Sequence, residues 1–339
     1  MTTAPTDPLG LDPRPAMSAV LLACLPGLLV LLAMQGLGVA LQLGLCVATH
    51  LFCEAAVRRL AGQPRCPAER ALLGWPPLAE GSGLVSALLL AVALPAQGPW
   101  WLAVSASAMA SLGGKALFGG FGRNPLNPAM LGYAFVLASF PAAMNQWPAP
   151  AAAHDAWPAV QRVLGLAPDI DGWSQATVLD RVRHNDRLTL DELFAGDPAF
   201  GHVAGRLGEA VNLAFLLGGL YLLWRRVIPW QTPAALLGSL FLASLLGWNG
   251  AGSDSHGSPL FHLFAGATML GAFFIVTEPV SGPRSVRARW LFGAGVGLLT
   301  YLIRVAGHHP DGLAFAVLLM NLALPGLERL ASRGAPADA

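Results

Sequence analysis

The sequence predicts an all-α polytopic membrane protein with about ten transmembrane helices, and three observations carry that reading. Of 339 residues, 55% are hydrophobic and only 12% are charged, roughly half the charged fraction of a soluble domain. Apolar runs able to cross about 30 Å of hydrocarbon recur along the chain. When those runs are threaded in order, Lys and Arg gather on one side of the membrane. The net charge of +1 leaves no basic footprint for nucleic acid.

The runs lie near 17–34, 36–57, 81–96, 99–118 and 127–145, and then near 207–224, 233–250, 260–277, 288–305 and 311–328. With the N-terminus inside, the cytoplasmic segments hold Arg14; Arg58, Arg59, Arg65 and Arg70; Lys115 and Arg123; Arg225 and Arg226; Arg284, Arg287 and Arg289; and Arg329 and Arg333. The short outer connections hold Arg304. Arginines in the long hydrophilic stretch count for little, because long loops cross largely regardless of charge. The predicted organisation is a cytoplasmic tail (1–16), a first five-helix half (17–145), an outer loop (146–206), a second five-helix half (207–330) and a cytoplasmic tail (331–339).

"NPLNPAMLGYAFVLAS" and "HHPDGLAFAVLLMN" open the fifth and tenth runs alike: a Pro-bearing breaker, then a small-residue helix with Ala-Phe. Recurrent apolar composition is one source of such an echo. The other is a pair of inverted five-helix repeats, the plan of many transporters.

Cys24, Cys46, Cys53 and Cys66 have no metal-ligand spacing and read as small apolar residues. "LLAC" at 21–24 lacks the preceding length of a signal peptide. His50, Glu54, Glu209, His262 and Arg304 are among the few ionisable residues in the runs, mostly near ends where side chains can snorkel. No run has a carboxylate near its middle, which argues against a midplane carboxylate ion site in this chain alone. Asn212, Asn321 and His262 read as helix–helix hydrogen-bonding residues.

Two breaks carry chemistry-bearing residue types. "KALFGGFGRNPLNPAM" (115–130) has Gly119, Gly120 and Gly122 for positive φ and close approach of a ligand. Asn124-Pro125 and Asn127-Pro128 form turns, and Pro128 suits the first turn of the next helix. A phosphate loop is excluded, because no Gly-Lys-Ser/Thr follows the glycines. A tight re-entry between helices is one reading, and a backbone surface for a flat aromatic cofactor is the other. "TEPVSGPRS" (277–285) puts Glu278 at the membrane edge, with Pro279 and Pro283 ending the helix. Pairing of the two breaks would bring irregular backbone from both halves together.

In "DGWSQATVLD" (171–180), Asp171-Gly172 signals a turn and Ser174 is the expected N-cap of the helix that follows. No His–Asp pair stands near to make Ser174 or Thr177 a nucleophile. Thr177 is instead open to modification by another enzyme.

With "EGSGLVSALLLAVALPAQGPWW", "LFAGATMLGAFFIVTEPVSGP" and "HHPDGLAFAVLLMNLALP", these motifs resemble the RnfD family of the bacterial Rnf electron-transport complex along nearly the whole chain. They are more distantly similar to NqrB of the Na⁺-translocating NADH:quinone reductase. The resemblance implies that Thr177 carries FMN as a phosphoester, attached by a flavin transferase that uses FAD. Asp171, Gly172, Ser174 and Ala176 match the surrounding motif, while Gln175 stands where Gly is usual. Glu80 and Glu278 stand where Asp is common, and the short N-terminal tail favours the Rnf family.

The resemblance further implies a non-covalent riboflavin, expected near Gly119, Gly120, Gly122 and Asn124. Its implied partners are the periplasmic FMN subunit, two small membrane subunits and the NAD and iron–sulfur subunits of a complex in the bacterial inner membrane. The expected function is electron transfer in ferredoxin/NAD oxidoreduction coupled to Na⁺ or H⁺ movement, with no complete reaction by this chain alone. The alternatives are the quinone-reductase relative and, in another class, a ten-helix channel or transporter without a redox role.

Overall fold

A computed structural model of the chain describes residues 14–61, 81–119, 123–148, 156–166, 174–184, 187–253, 255–307, 309 and 311–333. Asp171, Gly172, Gly120, Gly122, Glu80 and Cys66, named above, lie outside the described residues.

Among the described residues the regular structure is helical, apart from a two-residue antiparallel ladder between β1 (Trp147–Pro148) and β2 (Ser174–Gln175) and an isolated bridge between Phe200 and Gly205. The first half contains α1 (Arg14–Gln35), α2 (Leu37–Leu60), α3 (Ser82–Ala93), α4 (Trp100–Ala108), α5 (Pro128–Ser139) and a single turn, α6 (Pro141–Met144). The hydrophilic stretch forms α7 (Ala156–Val163), α8 (Val178–Arg183) and α9 (Leu190–Gly196). The second half contains α10 (Arg206–Trp224), α11 (Gln231–Leu246), α12 (Pro259–Phe264), α13 (Thr268–Leu270), α14 (Val286–Ala306) and α15 (Leu313–Arg333).

Every apolar run predicted from the sequence therefore holds a helix. By length and composition, Pro15–Gln35, Leu37–Leu60, Arg206–Trp224 and Leu313–Arg333 can cross a membrane. This is the architecture of a polytopic helical membrane protein.

Local chemistry sets where these helices begin. Asn127 caps α5 by accepting from the Met130 N–H at 3.1 Å, with Pro128 in the first helical position. Ser258 and Ser285 cap α12 and α14 in the same way. Packing then joins the helices. Gly293 and Gly297 of α14 lie against the carbonyls of Thr232 and Leu236 in α11, where a side chain would force the helices apart. α1 packs on α10, α5 on α15, and α2 on both α3 and α4.

Two runs depart from a continuous helix. The eighth unwinds between α12 and α13 at Ala265–Ala267, then closes in a π-helical turn, Gly271–Ile275. The fourth ends in a second π-helical turn, Met109–Gly113, and a 3-10 turn, Ala116–Phe118.

The hydrophilic stretch is not an open loop. Leu179, Val182, Leu190, Leu193, Phe200 and Ala204 bury together against Phe261 and Ala265 of the eighth run, forming a small core of their own. The segment carrying Thr177 is thereby docked on the second membrane half.

Candidate functional site

Thr177 lines a cavity of about 800 Å³, within the size range of small-molecule and cofactor sites. The last turns of α1 and α3, the face of α5 bearing Met130 and Tyr133, the first turns of α10 and α15, and the unwound Ala265–Ala267 all border it. Most wall residues are apolar, among them Leu31, Val92, Leu137 and Phe215; Arg181, Asp197, Arg206 and Asp311 bring charge to it.

Thr177 is half-buried, and its Oγ1 accepts from the Asp180 N–H at 3.3 Å, which makes Thr177 the N-cap of α8. This corrects the expected role of Ser174. Ser174 pairs in the β-ladder opposite Pro148, and Gln175 opposite Trp147, so the residues before Thr177 are extended rather than helical. The spacing Thr177-x-x-Asp180 is itself a helix-start signal. Ala176 is exposed and lines the cavity beside Thr177.

Three links fix the Thr177 segment from below. Arg181 forms an ion pair with Asp197, joining α8 to the turn before α10. Gly205 packs so closely on Val178 that an added Cβ would sit 2.6 Å from its Cγ2. Glu209 accepts from the Val203 and Ala204 N–H groups at 2.6 and 2.7 Å, bracing the turn that delivers Gly205. Glu209 is therefore a loop brace rather than a snorkelling charge.

The unwound segment is satisfied by side chains at the cavity floor. Asn212 donates to the carbonyls of Phe264 and Gly266 at 2.9 Å and accepts from the Met269 N–H at 2.9 Å. Arg304 donates to the His262 carbonyl at 2.7 Å and to the Thr268 hydroxyl at 2.9 Å. Asp311 pairs with Arg304 at 3.1 Å and accepts from the Ala267 N–H at 2.9 Å. The left-handed turn needs Gly266, with φ +59°.

Arg304 does not snorkel: its side chain is 1% exposed. It holds backbone that lipid could not satisfy. Asn212 acts as the expected helix–helix hydrogen-bonding residue, whereas His262 turns inward to the His256 carbonyl at 3.0 Å.

The glycine-rich part of the 115–130 break lies off this cavity: Gly119 and Asn124 are not on its wall, although Met130 is. Gly119 has φ +90°, the positive φ its residue type allows. Asn124 is buried and donates to the Leu126 carbonyl at 3.2 Å.

Lys115, counted in the sequence among the cytoplasmic charges, is not solvated. It is buried 3.5 Å from the Glu54 carboxylate and from the Ser82 hydroxyl, since a cation removed from water needs partners. The two breaks do meet. Asn321 accepts from the Asn127 N–H at 3.0 Å and donates to the Ser281 carbonyl at 2.9 Å, and Asn127 donates to the Ile275 carbonyl at 3.3 Å. Ile275, whose carbonyl accepts from Asn127, also lines the Thr177 cavity. Cys24, Cys46 and Cys53 are buried free thiols, and no metal-ligand cluster exists among the described residues.

Comparison with known proteins gives a consistent answer. A Pseudomonas aeruginosa protein named as the D-type component of an ion-translocating oxidoreductase complex is 55% identical over 327 residues, covering 96% of this chain and 92% of that one. Its counterpart from Pseudomonas paraeruginosa is 56% identical over 312 residues, covering 92% and 88%. The one from Sodalis glossinidius is 43% identical over 330 residues, covering 92% and 91%. The family model for the NQR2, RnfD, RnfE family matches residues 7–335, and the chain belongs to that family.

Proposed function

We propose that this chain is the flavin-carrying RnfD component of an Rnf-type ion-translocating oxidoreductase complex, with FMN joined to Thr177. Membership in such a complex follows from relatives that share nearly its full length. The observation that carries the flavin reading is the position of Thr177 on the wall of a large, mostly apolar cavity. The residues fit the group. A threonine hydroxyl can form the phosphoester, and apolar walls with few polar groups suit a flat aromatic ring.

Bound there, a flavin would exchange electrons singly or in pairs, while the protein supplies position and electrostatics. The chain's own part is to hold Thr177 at the cavity, keep lipid out through the docked α8–α9 core, and satisfy the unwound backbone beneath. We assign a second, non-covalent riboflavin to the 119–128 segment. The buried Lys115, Ser82 and Asn124, with the half-buried Glu54 beside Lys115, support that assignment.

We read the membrane halves as inverted repeats with both termini cytoplasmic and Thr177 periplasmic. Equivalent contacts support the repeat: α2 on α4 matches α11 on α14, while α1–α10 and α5–α15 pair across the axis. Gly81 and Gly266, with φ +70° and +59°, open the matching helices α3 and α13. A buried base reaches a hydroxyl beside each: Lys115 to Ser82 and Arg304 to Thr268. The cavity is bordered by helix ends that this threading puts on the same side as the α7–α9 segment.

The test is in-gel fluorescence of the denatured chain after co-expression with the flavin transferase. The chain should fluoresce and Thr177→Ala should not; a dark wild-type band would sink the flavin reading. The assembled complex should reduce ferredoxin with NADH, whereas reduction of a quinone alone would favour the quinone-reductase relative.

A further inference from the structure

We propose that Arg181 and Arg206 form a two-arginine cradle for the phosphodiester of a nucleotide joined to Thr177, and that Asp197 is the placeholder anion on Arg181 before attachment. The proposal rests on the reading of Thr177 as the flavin anchor. Attachment forms a bond between Thr177 Oγ1 and the FMN phosphorus of FAD. It breaks the anhydride P–O bond, releases AMP and frees the hydroxyl proton. The resulting diester keeps one negative charge, and that charge needs a partner at an apolar cavity wall.

Both arginines stand on the wall of the cavity that Thr177 lines. Thr177 caps α8, and Arg181, one turn into that helix, lines the same cavity. Arg206 comes from the far end of the α7–α10 segment. It is brought in by Gly205, which lies against Val178, and by its own N–H bond to the Ala199 carbonyl at 2.9 Å. Thr177, Arg181 and Arg206 all line the same cavity.

The charge balance of that cavity points the same way. Asp311 is neutralised by Arg304 and accepts from the Ala267 and Leu313 N–H groups. Arg181 is neutralised by Asp197. Arg206 is exposed and has no acidic partner among the described residues, which leaves its guanidinium available to an anion. Guanidinium groups grip phosphate oxygens with paired N–H bonds, which a single ammonium does not. Asp197 also accepts from the Ala199 N–H at 2.9 Å, so it stays anchored when the diester takes its arginine.

The experiment uses the full chain, co-expressed with its transferase and purified in the complex. It records phosphorus NMR of the covalent diester, in-gel fluorescence and melting. In wild type the native phosphorus resonance should stand away from its position in the denatured chain. Arg206→Gln and Arg181→Gln should each move it partway back, and the double variant should abolish the displacement. Each single loss should lower flavin incorporation by about tenfold, the equivalent of one charge-assisted hydrogen bond. Asp197→Asn should leave the resonance in place.

Arg206 has no acidic partner to lose among the described residues, so Arg206→Gln should melt as wild type does. An unshifted resonance and full incorporation in that folded variant would overturn the cradle. A wild-type chain with no covalent flavin would instead overturn the reading of Thr177 itself.

Discussion

Arg304 and Asp311 meet at 3.1 Å beneath the break in the eighth apolar run, where the guanidinium also holds the carbonyl of His262 and the hydroxyl of Thr268. Removing one partner strands a buried charge and frees backbone groups that lipid cannot satisfy. Arg304→Met and Asp311→Asn are each expected to cost about 3–5 kcal/mol. The double variant should cost clearly less than the sum. A double-mutant cycle from melting in detergent checks this; additive losses would mean the two residues act separately.

Gly266 gives a sharper test of the same turn. Its φ of +59° is left-handed, and an added Cβ would fall onto the Asp311 carboxylate and 2.8 Å from Arg304 Nη2. Gly266→Ala should lose at least about 1–2 kcal/mol from backbone strain alone. Gly238, inside α11 with open space around it, is the control. Gly238→Ala should be neutral or gain up to about 1 kcal/mol. Equal melting temperatures for the two variants would contradict the account.

The break in the eighth run also marks the limit of what the sequence makes legible. Apolar runs are legible because lipid demands long uninterrupted stretches, and Asn127-Pro128 is legible as a helix start because cap and first-turn preferences are local. Arg304 and Lys115 count as surface charges in a tally of basic residues, which says nothing of Asp311 or Glu54 folding against them. The α8–α9 core has the composition of a loop, because Phe200 and Phe261 meet only in three dimensions. The motif singles out Thr177 but suggests Ser174 as the cap, although Asp180 stands at the right spacing from Thr177.

The two roles of Thr177 can be separated. Thr177→Ala removes both the hydroxyl and the cap, and cap loss alone should cost about 1 kcal/mol. Asn caps as well as Thr but offers no hydroxyl for a phosphoester. Thr177→Asn should therefore melt close to wild type while showing no flavin fluorescence. A fluorescent Thr177→Asn chain would put the attachment elsewhere.

The start of α9 carries a predictable pH dependence. The Thr189 N–H and hydroxyl donate to the Glu192 carboxylate at 2.8 and 2.9 Å, which holds that carboxyl below the ordinary carboxylate range. A carboxyl depressed in the folded state stabilises above its unfolded value, about 4.3, and loses that contribution as pH falls through the folded value. The melting difference between wild type and Glu192→Ala should be constant from neutral pH to about pH 5 and shrink below about pH 4. A difference that grows on acidification would reverse the sign.

Glu209 braces the turn that carries Gly205 to Val178, and through it the Thr177 segment. Its carboxylate accepts from two N–H groups at 2.6 and 2.7 Å, and Gly201 leaves room for it by lacking a side chain. Hydrogen bonds to a charged group contribute about 1.5–3 kcal/mol each, so Glu209→Ala should release the turn over 201–205 while the membrane helices stay packed. Limited proteolysis should then cut faster within 197–206, with the melting of the helical bulk little changed. Flavin incorporation should fall with it, because Val178 and Thr177 lose their support. Glu209→Gln keeps one acceptor oxygen and should lie between the two; a Glu209→Ala chain as protease-resistant as wild type would show that the turn stands without its brace.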